Sequence, residues 1–142
     1  MNRDSKPVPS THRDLDAWKK SVGMARLVYE ETAVFPKPEQ FGLTHQMRRA
    51  AVSVASNIAE GAGRRSSREF VQFLSISAGS LAELDTQMEI AAQLGYLSPQ
   101  SSLWSARDDV ARLVIALRQS IQRRVEQQLG APRITNHESR IT

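Results

Sequence analysis

Apolar and small residues recur along this chain at helical intervals. Leu15, Trp18, Val22, Ala25, Tyr29 and Thr32 follow one another at steps of three and four, which places them on one stripe of an amphipathic helix. Asp14 stands before the stripe as an N-cap. Phe35-Pro36-Lys37-Pro38 ends it, because proline lacks an amide donor and pushes the preceding residue out of the α region. A second helix is predicted from about Glu39 to Ala59, with Leu43, Met47, Ala50, Ala51, Val54 and Ile58 on one side. It closes in Glu60-Gly61-Ala62-Gly63, where glycine can take a left-handed C-cap conformation. Ser66 or Ser67 caps a third helix, and Glu69 lies three residues after Ser66, as in a capping box. Its stripe is Phe70, Leu74, Ser77, Leu81, Leu84, Met88 and Ala91, and its stop is Gly95. Ser98 and Pro99 open the fourth helix as N-cap and first helical residue. Leu103, Ala106, Val110, Leu113, Leu117 and Ile121 mark its inner face, and it ends before Gly130.

No alternating pattern competes, so the chain reads as all-α. Four helices of about 20 to 30 residues on short connections specify an antiparallel up-down-up-down four-helix bundle. The bundle domain is placed at residues 14–129, between tails at 1–13 and 130–142 whose Pro, Ser, Thr and Gly content predicts disorder. The second helix is rich in small residues, which lets a neighbour approach closely. The first and last helices carry apolar residues beyond one stripe, Leu27 with Val28 and Val114 with Ile115, and a second apolar face implies self-association.

Composition narrows the function. With 142 residues and 15.8 kDa the chain holds one domain. Cysteine is absent, which excludes disulfide scaffolds, thiolate metal sites and cysteine nucleophiles and suits a reducing cytoplasm. No apolar run reaches the ~18 residues of a membrane span, and the first residues lack the apolar core of a secretory signal. A soluble, cytoplasmic protein with no membrane partner is expected. The net charge is +4 and the pI about 10.0. Lysine occurs only at 6, 19, 20 and 37, so 15 of the 19 basic residues are arginine, the side chain suited to bidentate pairing with carboxylate or phosphate.

Catalytic constellations are missing. His12, His45 and His137 are far apart, and no His-x-x-x-His or Glu-x-x-His pair occurs, so neither a metal nor another cofactor is called for. Glu30-Glu31 and Asp108-Asp109 are adjacent on helices and diverge by about 100°. Gly61-x-Gly63 follows a helix, not a strand, and no Lys-Ser/Thr follows it, so it is neither a Rossmann turn nor a P-loop. The chain is read as not an enzyme.

The charge surplus is local. Between Gln46 and Phe70, Arg48, Arg49, Arg64, Arg65 and Arg68 face only Glu60 and Glu69, which puts +3 in that segment. Two interpretations stand side by side: a surface for the phosphates of RNA or DNA near the start of the third helix, or arginines that pair with Glu60, Glu69 and neighbouring subunits. No aromatic residue interleaves the cluster, so nucleic-acid contact would be to phosphates and sensitive to salt. Asn57 and Glu60 are read as structural polar contacts that fix register, Asn57 to a neighbouring helix and Glu60 to Arg48 or Arg64.

The ordered set Phe35-Pro36, Gln46-Met47-Arg48-Arg49-Ala50, Asn57-Ile58-Ala59-Glu60-Gly61, Arg64, Phe70, Phe73-Leu74 and Gly79-Ser80-Leu81-x-Glu83-Leu84 resembles the four-helix-bundle proteins encoded within intervening sequences of bacterial 23S ribosomal RNA genes. The likeness extends over roughly residues 14 to 125. It implies a four-helix protomer in a homopentameric ring with a basic surface and no catalytic activity. It also implies kinship with the accessory protein of diversity-generating retroelements, which binds a reverse transcriptase and associates with nucleic acid. The leading expectation is therefore a non-catalytic, oligomeric RNA- or DNA-binding protein. The alternative is a protein-interaction scaffold or accessory subunit, for example of a reverse transcriptase, whose arginines serve protein contacts.

Overall fold

The computed structural model describes the backbone of residues 11–141 and the side chains of residues 11–130; residues 1–10 and 142 lie outside the described residues, and most of the predicted 1–13 tail with them. Four helices follow one another: α1 (Asp16–Thr32), α2 (Leu43–Ala62), α3 (Ser67–Gln93) and α4 (Leu103–Ile141), with 3-10 turns at His12–Asp14 and Lys37–Glu39. No strand occurs among the described residues. Each helix packs on its neighbours in sequence, and α4 closes back on α1. Short connections between packed neighbours make the up-down-up-down bundle.

The stripes predicted for α2 and α3 are the buried ones, with Met47, Ala51, Val54, Ile58, Leu74, Leu84, Met88 and Ala91 fully enclosed. In α1 the stripe is rotated by one residue, about 100°: the inner face is Ala17, Ser21, Met24, Val28 and Thr32, while Val22 and Tyr29 are 43% and 48% exposed. Small polar residues go inside because their hydroxyls are satisfied by their own helix. Ser21 Oγ donates to Ala17 O at 2.6 Å and Thr32 Oγ1 to Val28 O at 2.7 Å. In α4, Val110, Val114, Ile121 and Val125 are buried, and Leu113 and Leu117 sit at the core's edge. Val28 and Val114 thus belong to the core, and the exposed large apolar residues of α1 and α4 among the described side chains are Val22, Tyr29, Ile115 and Leu129.

Several boundaries differ from the expected ones. Asp14 does not cap α1; its carboxylate accepts from Thr11 N–H at 3.2 Å inside the 3-10 turn, and Leu15 stands at the N-cap. α2 starts at Leu43, not Glu39, because Lys37–Glu39 forms its own turn. Glu39 still serves α2: Oε1 accepts from Leu43 N–H at 3.1 Å, and Oε2 accepts from Tyr96 Oη at 3.3 Å. Burial, then Glu39, raises the Tyr96 phenol above its usual value. Ser66 does cap α3, accepting from Glu69 N–H at 3.1 Å. Ser98 and Pro99 belong to a turn closed by Ser101 N–H on Ser98 O at 3.1 Å, and Ser101 Oγ accepts the first amide of α4, Leu103 N–H, at 3.1 Å. α4 continues through Gly130 and Pro132 to Ile141, where the sequence placed a disordered tail. One glycine and one proline weigh against helix by about 1 and 3 kcal/mol, which a long helix can absorb.

Among the described residues one core group is unsatisfied. Gln87 is 4% exposed, and its Oε1 has no hydrogen-bond partner. An orphaned buried polar atom costs about 1–3 kcal/mol, so Gln87→Leu, similar in volume, is expected to raise unfolding stability by about 1 kcal/mol. Urea titration checks this, and a lower midpoint would contradict it.

Candidate functional site

The five arginines singled out in the sequence do not form one cluster. Arg48 lies fourteen positions before the end of α2 at Ala62, about 21 Å at 1.5 Å per residue, and Arg64 lies beyond that end in the α2–α3 turn. Arg48 faces inward onto α1: Nε donates to Thr32 Oγ1 at 2.9 Å, Nη2 donates to Tyr29 O at 3.2 Å, and the guanidinium lies 4.4 Å from the Tyr29 ring centroid. It is a cation at the C-terminal, electronegative end of a helix, where it favours the fold. Arg49, one residue on, is exposed beside a shallow cleft with Gln46, Ser53, Ser80 and Glu83.

At the other end, Arg64 pairs with Glu60 at 2.7 Å, lies 3.9 Å from Glu69 and stands 4.8 Å over the Phe73 ring. Both partners of the Glu60 pair are about half exposed, so the pair adds little stability but partly neutralises Arg64. Arg65 and Arg68 are exposed and make no ion pair among the described residues. Arg68 lies in the first turn of α3.

Asn57 and its neighbours explain the small residues of α2. Asn57 Nδ2 donates to Ser53 O at 2.8 Å and to Ser53 Oγ at 3.0 Å; Ser53 Oγ meets Ser80 Oγ of α3 at 2.7 Å. Ser77 Oγ of α3 donates to Val54 O at 2.7 Å. Such hydroxyl-to-backbone bonds require α2 and α3 to lie close. Gly61 completes the approach: a Cβ there would stand 2.7 Å from Phe73 Cβ and 2.9 Å from Phe70 Cδ1. The expected glycine C-cap is therefore not the reason for the glycines. α2 runs past Gly61 to Ala62, and Gly63 at the C-cap has φ −85°, in the right-handed region. The left-handed conformation occurs instead at Gly95, φ 81°, after α3.

Sequence reasoning missed the contribution of α4. Arg124 joins Arg64 and Arg65 around a cavity of about 360 Å³, walled by Phe70 and Leu117 and edged by Ser120. Six residues earlier, Arg118 Nη1 donates to Ser75 Oγ at 3.5 Å, and Arg118 and Arg123 border, together with Glu126, the open groove between α3 and α4. The signal was present in the α4 charges. Arg107 is engaged with Asp108 and Asp85, and Arg112 with Asp109, which leaves Arg118, Arg123 and Arg124 against the one further carboxylate of Glu126 among the described side chains of α4. Burial opposes the charge on Arg107, but Asp108 and Asp85 outweigh it and raise its pKa further.

Among the described residues no group of His, Cys, Asp and Glu is arranged to hold a metal ion, and no helix is long and apolar enough to cross a membrane. His12 packs edge-on to Trp18 at 4.9 Å, and His45 is exposed beside Tyr29 and Arg49. The side chain of His137 lies outside the described ones.

No curated protein matches the chain. A solved structure of a protein of unknown function from the S23 ribosomal protein family of Bacteroides thetaiotaomicron is similar, with a TM-score of 0.66 and 21% identity over 72% of this chain and 95% of that one. At that identity the likeness speaks for a shared fold. A family model described as 23S rRNA-intervening sequence protein matches residues 13–117, from the first 3-10 turn through most of the bundle. The chain belongs to the 23S rRNA-intervening sequence protein family.

Proposed function

We propose that this protein is a non-catalytic, oligomeric, cytoplasmic nucleic-acid-binding protein whose exposed arginines contact the phosphates of RNA or DNA. The observation that carries the proposal is the set Arg65, Arg68 and Arg124, which reaches solvent without an ion-pair partner among the described residues. Arg49 adds a further exposed cation, whereas Arg48 and Arg64 are engaged within the protomer and act mainly by positioning. Each protomer offers few phosphate contacts, so binding depends on several acting together. A homopentamer, as the family resemblance implies, would carry about +20 and multiply weak contacts by avidity. Exposed Val22, Tyr29 and Ile115 provide apolar surface for such contacts.

Two measurements test this reading. Light scattering is expected to give about five times the 15.8 kDa protomer mass; a monomer would remove the avidity argument. RNA retention is expected at ~50 mM salt, with log affinity falling linearly against log salt. Binding indifferent to salt, or none at ~50 mM, would overturn the phosphate reading.

A second reading is favoured by a different observation. Val34 and Phe41, in the connection between α1 and α2, are 82% and 85% exposed, which suits an accessory subunit that docks on another protein such as a reverse transcriptase. It predicts an oligomer that retains neither RNA nor DNA at low salt.

A further inference from the structure

We infer that the cavity between the α2–α3 turn and α4 receives a nucleoside phosphate monoester, either free or at the end of a nucleic-acid strand. The inference rests on the nucleic-acid reading and deepens it by naming a chemistry for one part of the surface.

The cavity measures about 360 Å³. Ligand pockets span roughly 300–1,000 Å³, so it has room for one nucleotide and none for a duplex. Its rim and its wall differ in chemistry. Arg65 reaches the rim from the turn and Arg124 from α4, and neither has an ion-pair partner among the described residues. The third guanidinium, Arg64, is already met by Glu60 at 2.7 Å. Two uncompensated cations match the charge of about −1.5 to −2 on a phosphate monoester at neutral pH better than the single charge of an internal phosphodiester. Ser67 and Ser120 place hydroxyls beside them. Half-buried Phe70 and Leu117 form the wall, an apolar surface against which a base can lie while its phosphate stays on the rim. Glu69 is the other carboxylate near this end, and it is turned to Arg64 at 3.9 Å.

The test uses the full chain and fluorescent single strands of RNA that carry a 5′-phosphate, a 3′-phosphate or hydroxyl ends, with a blunt hairpin and a free nucleoside monophosphate beside them. A phosphorylated end is expected to bind roughly tenfold tighter than hydroxyl ends, the range of one charge-assisted hydrogen-bond pair. If free nucleotides are the ligand, the gain appears as direct binding of the monophosphate. Either gain is expected to vanish in Arg124→Gln, whereas hydroxyl-ended strands lose only the one general phosphate contact that Arg124 supplies and keep the salt-dependent binding of the other arginines. Arg124 lies on the exposed side of α4, so this substitution keeps the fold. Equal binding of phosphorylated and hydroxyl ends with no binding of the monophosphate overturns the inference and leaves the nucleic-acid reading intact. So does a loss in Arg124→Gln that is the same for every ligand. Failure of every strand and of the nucleotide to bind at ~50 mM salt overturns both.

Discussion

Reversing Arg65 and Arg68 to glutamate together is expected to lower RNA affinity by tenfold or more at ~50 mM salt and to flatten the salt dependence by about one unit of slope for each phosphate that the protein no longer neutralises. Both side chains are exposed, and neither holds an ion pair among the described residues, so the fold does not depend on them. In α3 the change even favours the helix. Residue 68 lies in its first turn, where an acidic side chain complements the positive end of the dipole. Circular dichroism should therefore stay unchanged while filter binding collapses. The same reversal at Arg48 would give a different result. That guanidinium holds Thr32 Oγ1 and Tyr29 O, so a glutamate there would leave both α1 acceptors facing a like partner and destabilise the protomer. Unaltered RNA affinity in the Arg65→Glu, Arg68→Glu protein would exclude the α2–α3 turn as the binding surface.

Gly61→Ala is expected to destabilise the protomer by about 2 kcal/mol, although alanine is the better helix former. The added Cβ would stand 2.7 Å from Phe73 Cβ, an atom fixed to its backbone that cannot swing aside. Relief requires α2 and α3 to part. That would lengthen the Ser77-to-Val54 and Ser53-to-Ser80 bonds and move Phe70, which walls the cavity, and Phe73, which supports Arg64. The same change at Gly79 is expected to have the opposite sign. Nothing lies within 4 Å of a Cβ there, so the gain of about 1 kcal/mol in helix propensity is unopposed. Thermal denaturation of the two variants decides the matter: equal shifts in one direction would mean that the α2–α3 approach is not held at Gly61.

Much of the architecture is legible along the chain. The stripes of α2 and α3 stand out because large aliphatic residues dominate one face of each, and burial follows apolar area. The α1 stripe is displaced by one residue because Trp18, Val22 and Tyr29 outweigh Ala17 and Ser21 in hydrophobicity. Inside a closely packed bundle, a small residue with a self-bonded hydroxyl fits where an indole or phenol does not. Caps are partly legible. Ser66 caps α3 as its position implies, but Ser98-Pro99 and Asp14 serve neighbouring turns, since a capping residue marks a chain reversal without fixing which residue begins the helix.

By itself the sequence determined the all-α class, the four helices and their order, the family, and the concentration of positive charge around residues 46–70. Those properties follow from periodicity, from motifs in order and from counting, none of which needs to know what lies opposite what. Tertiary structure alone decided which arginines are free. Arg48 and Arg64 are adjacent in sequence to Arg49 and Arg65, yet only the first of each pair is engaged: on α2 successive residues point about 100° apart, and in the α2–α3 turn Arg64 is held by Glu60 and the Phe73 ring while Arg65 makes no ion pair among the described residues. It also brought Arg124 of α4 beside Arg65 of the α2–α3 turn and made Gly61 a point of close approach, not a terminator. Both outcomes depend on the distance between packed helices, which the sequence of either helix alone does not specify.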